Sequence, residues 1–265
     1  MRKWGLLLLA SAFIAGCGVD QKTFLENTTD DSGIIGGKAV AANTALANST
    51  VALFDLVQGT LCSGTIVGPH LVLTAAHCVN PSTIDGLRVV FSTNVDKGLS
   101  TAVVVRAAMI HPGYDPERYG DTADIALVRF QGSLPKGYTP APLLTDFLSL
   151  NEGTDVTVAG YGLNWSWVVS RGSGILRFTS LQVEKLNFST SELSLSQSAV
   201  HSVCSGDSGG PAYILYQGRL HVVGVASRVG SSAKWLMPKC FDIAIYTRVD
   251  FYRDWISSAS LELLQ

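Results

Sequence analysis

The string Gly206-Asp207-Ser208-Gly209-Gly210-Pro211 sets one serine hydroxyl among glycines. Acyl transfer needs a serine whose backbone can aim N–H groups at a developing oxyanion, and flanking glycines let the chain turn there without side-chain clash. A glycine-rich turn without chemistry is the competing explanation; the length of the string counts against it, because only short patterns recur often by chance. A serine hydroxyl attacks poorly until a base takes its proton, so the chain must supply a histidine. Of His70, His77, His111, His201 and His221, His77 stands apart in Leu73-Thr74-Ala75-Ala76-His77-Cys78. Small residues there permit close packing, and the neighbouring cysteine can pin the turn. His70 and His111 sit beside Pro69 and Pro112 and read as turn residues, while His201 and His221 read as surface or strand residues. No histidine spacing matches a zinc site, so neither metal nor any other cofactor is expected.

The base in turn needs a group that fixes its tautomer and stabilises the imidazolium. Asp124, in Asp124-Ile125-Ala126-Leu127-Val128, is expected to open an apolar strand and be carried inward, where a lone carboxylate is costly unless hydrogen-bonded. Asp121 is a weaker competitor, and a surface aspartate starting a strand is the bland alternative.

The elements that must hold these groups are mostly strands. With 265 residues and 47% hydrophobic content, the chain can bury one large all-β domain or two smaller lobes. Its 26 Gly and 9 Pro are scattered, which suits tight turns between short strands. Residues 50–54, 71–73, 87–91 and 101–106, then 155–159, 181–186, 211–216 and 220–226, are β-rich runs bounded by turn formers. One helix is predicted, Val249 to Ile256, from the spacing of Val249, Tyr252, Arg253 and Ile256 with Asp250 in its first turn. A net charge of -2 with no run of like charges argues against a nucleic-acid partner or a basic membrane patch.

The start of the chain reads as an address. Met1-Arg2-Lys3 followed by an apolar run to Ile14 has the character of an export signal over residues 1–16. Its end, Ile14-Ala15-Gly16-Cys17, resembles the lipobox of bacterial lipoproteins, in which the cysteine is lipidated; an ordinary signal with an incidental cysteine is the alternative. Membrane association is expected only through that anchor, at a bacterial cell envelope, and otherwise the protein is secreted. Residues 17–33 are polar and acidic and read as a tether or propeptide, with the folded region at 34–265. If Cys17 carries lipid, four cysteines remain for two bridges in an oxidising compartment; spacing alone leaves all three pairings open.

Together, Thr74-Ala75-Ala76-His77-Cys78, Asp124-Ile125-Ala126-Leu127 and Gly206-Asp207-Ser208-Gly209-Gly210-Pro211, in the order His, Asp, Ser, resemble the three signature blocks of the chymotrypsin/trypsin family. Ile34-Ile35-Gly36-Gly37, Gly160-Tyr161-Gly162 and Ile245-Tyr246-Thr247-Arg248-Val249 extend the similarity over nearly all of the chain from Ile34. The resemblance implies two six-stranded antiparallel β-barrels with the site in the cleft between them, and a C-terminal helix. It implies a serine endopeptidase with His77, Asp124 and Ser208 as triad, an oxyanion hole from the N–H groups of Gly206 and Ser208, and Ser227 beside Asp124. It pairs Cys62 with Cys78 and Cys204 with Cys240; the first bridge closes a loop behind His77 for which the chain-entropy model gives about 3 kcal/mol.

The same matching sets Ile34 and Asp207 where the family, after cleavage, forms a buried ion pair between a new α-ammonium and the aspartate before the nucleophile. The chain is thus expected to be a zymogen, although Ser32-Gly33 rather than Lys or Arg precedes the cut, which leaves the activating protease unidentified. The matched pocket positions are Ser202, Ser227, Val229 and Ala244. An uncharged Ser202 disfavours basic P1 residues, and Val229 should narrow the slot toward small or medium aliphatic ones. Residues 228–239 match the family poorly, with Arg228 where an aromatic is usual. The expected partners are protein or peptide substrates and an activating protease, with the chain itself a monomer. Two rival readings are a catalytically idle homologue serving as a surface binding or adhesion module, and an esterase of the α/β-hydrolase kind. The first would normally lack a triad member, and the second runs in the order Ser, Asp, His.

Overall fold

The computed structural model describes residues 34–166, 170–198, 200–230, 240–241 and 243–265. The signal, the tether and Cys17, and most of the loop expected to differ from the family (231–239), lie outside the described residues.

A two-residue strand, β1 (Lys38–Ala39), and a short helix, α1 (Ala45–Ser49), lead into β2 (Thr50–Asp55), β3 (Thr60–Gly68), β4 (Leu71–Thr74) and β5 (Leu87–Val90). After α2 (Val95–Gly98) come β6 (Val103–Ile110) and β7 (Ala126–Phe130). Antiparallel pairing in the order β2-β3-β4-β7-β6-β5 returns to β2 and closes a barrel. The second half supplies β8 (Asp155–Gly160), a small ladder of β9 (Trp165–Ser166) and β10 (Ser170–Arg171), then β11 (Arg177–Lys185), β12 (Glu192–Ser196), β13 (Pro211–Tyr216), β14 (Arg219–Val229) and β15 (Ile243–Arg248). The order β8-β11-β12-β15-β14-β13 also returns on itself, while β1 adds to β11 through Lys38↔Phe178 and Ala39↔Arg177. These are the two six-stranded antiparallel barrels that the resemblance implies, and closure removes the open strand edges a sheet of this size would otherwise expose.

The local reason is alternation and burial. In β11, residues 177, 179, 181 and 183 are buried while 180, 182 and 184 are exposed, the two-residue period of a strand with one face on a core. Val51, Leu53, Ile66, Val72, Val89 and Val128 fill the first barrel, and Val156, Val158, Leu181, Leu193 and Leu195 the second. Leu73, Leu127, Tyr161, Tyr213 and Val222 form a further core where the barrels meet. Polar ends of its tyrosines cross the seam: Tyr161 Oη donates to the Ser92 carbonyl at 2.8 Å, and Tyr213 Oη lies 3.0 Å from Ser49 Oγ.

The terminal helix differs from expectation. It runs as α3 (Arg253–Leu263), so residues 249–252 form a turn and Asp254, not Asp250, occupies its first turn. The Val249 N–H is still donated to the Val223 carbonyl at 3.2 Å, continuing the strand pairing, and Arg248 holds Asp250 in an ion pair at 2.7 Å. The buried stripe is Ile256, Ala259 and Leu263. The run at 101–106 also begins later, at Val103, because residues 99–101 make a 3₁₀ turn.

Candidate active site

His77 sits in a 3₁₀ turn, Ala76–Cys78, that follows β4. Ala75 and Ala76 are buried, and a disulfide joins Cys78 to Cys62 of β3, so the turn is fixed from both sides. Cys62, His77 and Cys78 bring three metal-type donor atoms within 4.8 Å, but two are the sulfurs of that disulfide and are not thiolates. Cys204 pairs with Cys240.

Asp124 does not open a strand; it lies two residues before β7, in a loop where Asp121 and Ala123 have φ of 54° and 50°. Left-handed geometry at a non-glycine residue persists only where the surroundings impose it. They do so through Glu192, which is fully buried and accepts from the Asp121 N–H at 3.2 Å, the Thr122 N–H at 3.3 Å and Thr122 Oγ1 at 2.8 Å. Arg228 meets the same carboxylate with both arms, Nη1 to Oε1 at 2.7 Å and Nη2 to Oε2 at 3.0 Å, and Nη2 also reaches the Tyr119 carbonyl at 2.7 Å. Burial works against ionising Glu192, but the Arg228 and Thr122 hydrogen bonds outweigh it and hold the carboxyl below its usual range. Asp121, the competitor for Asp124, is occupied elsewhere: its Oδ1 accepts from the Ser191 N–H at 2.7 Å and Ser191 Oγ at 2.8 Å.

Asp124 itself is buried and receives three hydrogen bonds. The His77 N–H reaches Oδ1 at 3.0 Å, and His77 Nδ1 and Ser227 Oγ reach Oδ2 at 2.8 and 2.7 Å. Ser227 is aimed there by a shift of register between Ala226 and Arg228 in the β14–β15 ladder, which leaves it as the extra residue of a bulge. Burial pushes the Asp124 carboxyl up, yet the hydrogen bond and charge of His77, with Ser227, bring it below the ordinary value. An ionised carboxylate only accepts, so His77 Nδ1 carries a proton, and in the neutral imidazole Nε2 is then the acceptor.

Ser208 is half-buried in a turn between the second disulfide and β13. It lines a cavity of about 220 Å³ together with Ser205, Ser227, Arg228 and Val229. The N–H groups of Asp207, Gly209 and Gly210 are donated to the carbonyls of Cys204, Ala226 and Asp207 at 3.0, 2.7 and 2.9 Å. Those of Gly206 and Ser208 find no protein acceptor among the described residues. Gly206 and Gly209 have φ of 97° and 76°, a region open mainly to glycine. The Asp207 side chain turns inward, accepting from the Gly162 N–H at 2.8 Å and the Cys204 N–H at 2.9 Å. A Cβ on Gly162 would lie 2.5 Å from that carboxylate, so the glycine is required by close approach. Burial pushes Asp207 up to about 7, against the pull of the two amides and of the Arg177 charge.

Of the four expected pocket residues, Ser227 and Val229 line the cavity, whereas Ser202 and Ala244 do not. Both are fully buried; Ala244 pairs with Val229 across the ladder, and the Ser202 N–H bonds to the Ile35 carbonyl at 3.1 Å. His111 packs its ring on Tyr252 and Trp255, His70 bonds to the Gly132 carbonyl at 2.6 Å, and His201 Nδ1 lies 3.0 Å from Thr179 Oγ1, so these histidines are used away from Asp124. Sequence reasoning passed over Glu192 and Ser63. Little local marks either: apart from Ser189, three residues before it, the partners of Glu192 lie 36 to 71 residues away, and one partner of Ser63 lies 143 away.

Two closed barrels with a serine turn and a carboxylate-bound histidine define a serine hydrolase of the chymotrypsin architecture. A family model described as Trypsin matches residues 34–256, and the chain belongs to that family. It is 30% identical over 237 residues to granzyme M of Homo sapiens, covering 84% of this chain and 87% of that protein. Identity to chymotrypsin-like elastase family member 1 of Rattus norvegicus is 29% over 215 residues, 74% of this chain and 77% of that protein. Urokinase-type plasminogen activator of Gallus gallus is 26% identical over 234 residues, 78% of this chain, which spans only 53% of that protein's length. Membership supports serine endopeptidase activity.

Arg228→Met is expected to lower stability by about 3–5 kcal/mol at pH 7, the cost of leaving a buried carboxylate without its cation. Without Arg228 the folded-state pKa of Glu192 should rise above its unfolded value, so the deficit should shrink as pH falls toward 4 and the group protonates. Urea midpoints of parent and variant at both pH values measure this; an equal deficit at the two would show that the ion pair is not its source.

Proposed function

We propose that this chain is a serine endopeptidase acting through an acyl-enzyme at Ser208, made as a zymogen activated by cleavage before Ile34. The carrying observation is the arrangement at His77: a buried, ionised Asp124 holds Nδ1, and this leaves Nε2 to serve as base. In this reading Ser208 Oγ attacks the peptide carbonyl carbon while its proton passes to Nε2. The carbonyl oxygen, now negative, takes the N–H groups of Gly206 and Ser208. His77 then gives the proton to the leaving amine, the C–N bond breaks, and water repeats the sequence to release the acid. Val229 on the cavity wall supports a preference for small or medium aliphatic P1 residues. A peptide-library cleavage profile of the chain cut before Ile34 should show that preference, and Ser208→Ala should lower kcat by on the order of 10⁶ with folding intact. A cut chain that cleaves nothing would favour the idle-homologue reading.

Zymogen character is supported by Asp207 and Ile34. Ile34 is fully buried, and the chain from Ile35 runs beside Ser202 close to the nucleophile turn. Burial pushes the Asp207 carboxyl up to about 7. A carboxyl whose folded pKa is raised binds more protons folded than unfolded, so it weakens the fold as pH rises from about 4 to 7. A freed α-ammonium beside it would remove that penalty. The melting temperature of the cut chain should therefore exceed that of the uncut chain at pH 7, and the gap should narrow toward pH 4. A gap indifferent to pH would argue against the pairing. Ser32-Gly33 before the cut argues against an activator specific for basic residues.

Export and lipidation at Cys17 complete the proposal, supported by the lipobox-like Leu9 to Cys17 stretch and by the use of all four described cysteines in disulfides. The full chain expressed in a bacterium should incorporate an alkyne-labelled fatty acid, and Cys17→Ser should abolish the label. An unlabelled parent would leave an ordinary signal peptide.

A further inference from the structure

Ser63 lies in β3 of the first barrel, directly after the cysteine bonded to Cys78, and is fully buried. Each of its polar atoms is engaged. Its N–H is donated to the Ser208 carbonyl at 2.8 Å, and its carbonyl accepts from Thr74 Oγ1 at 2.9 Å. Its Oγ donates to the Gly206 carbonyl at 2.8 Å and accepts from the Tyr161 N–H at 3.0 Å.

The Gly206 carbonyl belongs to the Gly206–Asp207 peptide, whose N–H is held by the Cys204 carbonyl at 3.0 Å. That peptide is therefore gripped at both ends. The preceding peptide, which carries the Gly206 N–H, has its oxygen held by the Leu163 N–H at 2.9 Å, so its N–H points the opposite way. Gly206, with no side chain to restrict it, would otherwise turn easily between these two planes. Tyr161 and Leu163 are near neighbours in sequence, so one short segment secures both grips, one of them only by way of the Ser63 hydroxyl.

We propose that Ser63 is a positioning residue for oxyanion stabilisation: its hydroxyl, presented by the first barrel, sets the orientation of Gly206 in the second. This rests on the endopeptidase reading above. Ser63 touches no reacting atom; it acts by aiming a donor that does.

The test uses the full chain with a specific protease site placed before Ile34 and cut in place. Removing an oxyanion donor outright costs about 10²–10³ in kcat, so loosening one should cost on the order of tenfold to a hundredfold. Ser63→Ala and Ser63→Gly should lower kcat by that amount with KM within about twofold. Affinity for a peptide boronic acid, which forms a tetrahedral adduct on the serine, should fall by a similar factor, while affinity for the cleaved product peptide stays unchanged. Ser63→Thr, which keeps the hydroxyl, should recover most of the loss. An active parent with unaltered kcat in both deletion variants overturns the inference alone. So does a loss that follows the fraction of folded protein and leaves boronate affinity intact. A parent that cleaves nothing and binds no boronate overturns the endopeptidase reading and this inference with it.

Discussion

A carboxylate fully enclosed by protein governs the construction of this site. Asp207 adjoins Ser208, and its side chain turns away from solvent into a space that two amides line and two glycines keep open. Burying a charge without compensation is expensive, and the two N–H bonds do not fully offset it, so burial pushes the carboxyl up to about 7. The inward turn of Asp207 determines how the chain leaves it. Gly209 and Gly210 bond to the Ala226 and Asp207 carbonyls, and the amides of Gly206 and Ser208 are left without a protein acceptor among the described residues. Geometry on the solvent side is thus a consequence of electrostatics on the buried side.

The second buried acid, Glu192, does comparable work for the opposite wall. The loop before β7 contains two left-handed non-glycine residues, and β14 carries a bulge at Ser227; neither is the relaxed form of a strand end. One bidentate ion pair joins them, since Glu192 holds the loop amides and Arg228 follows Ser227 directly. Asp124 is consequently located by atoms from three separate segments. Where an aromatic side chain is usual in the family, Arg228 supplies a charge that ties the cavity wall to the aspartate loop, so the change of residue type carries a change of role.

What could be read beforehand follows the range of the forces involved. The strings around His77, Asp124 and Ser208 are local, and so is the alternation that marks most strands; these were legible. The disulfide partners were open from spacing and came only from the family pattern. The start of α3 was missed because residues 249–252 have helical spacing but are held by a backbone bond to β14 and by the Arg248–Asp250 pair, both tertiary facts. The sequence Ile125 to Val128 looks continuous with Asp124, but the Glu192 contacts to the loop before β7 lie 70 residues on. Ser63 was invisible for the same reason.

The small strand β1 bears on the zymogen reading proposed above. Lys38 and Ala39 are fastened to β11, four residues beyond Ile34. A terminus released at Ile34 would be tethered at that point and could stray no more than about 14 Å from it. Confinement to such a volume corresponds to an effective concentration on the order of 0.1 M for the one amine. An isolated peptide bearing the same first residues would need to be supplied at that level to compete. In the zymogen reading proposed above, the register of two residues at the barrel's edge would make insertion of that amine intramolecular, fast and private to each molecule.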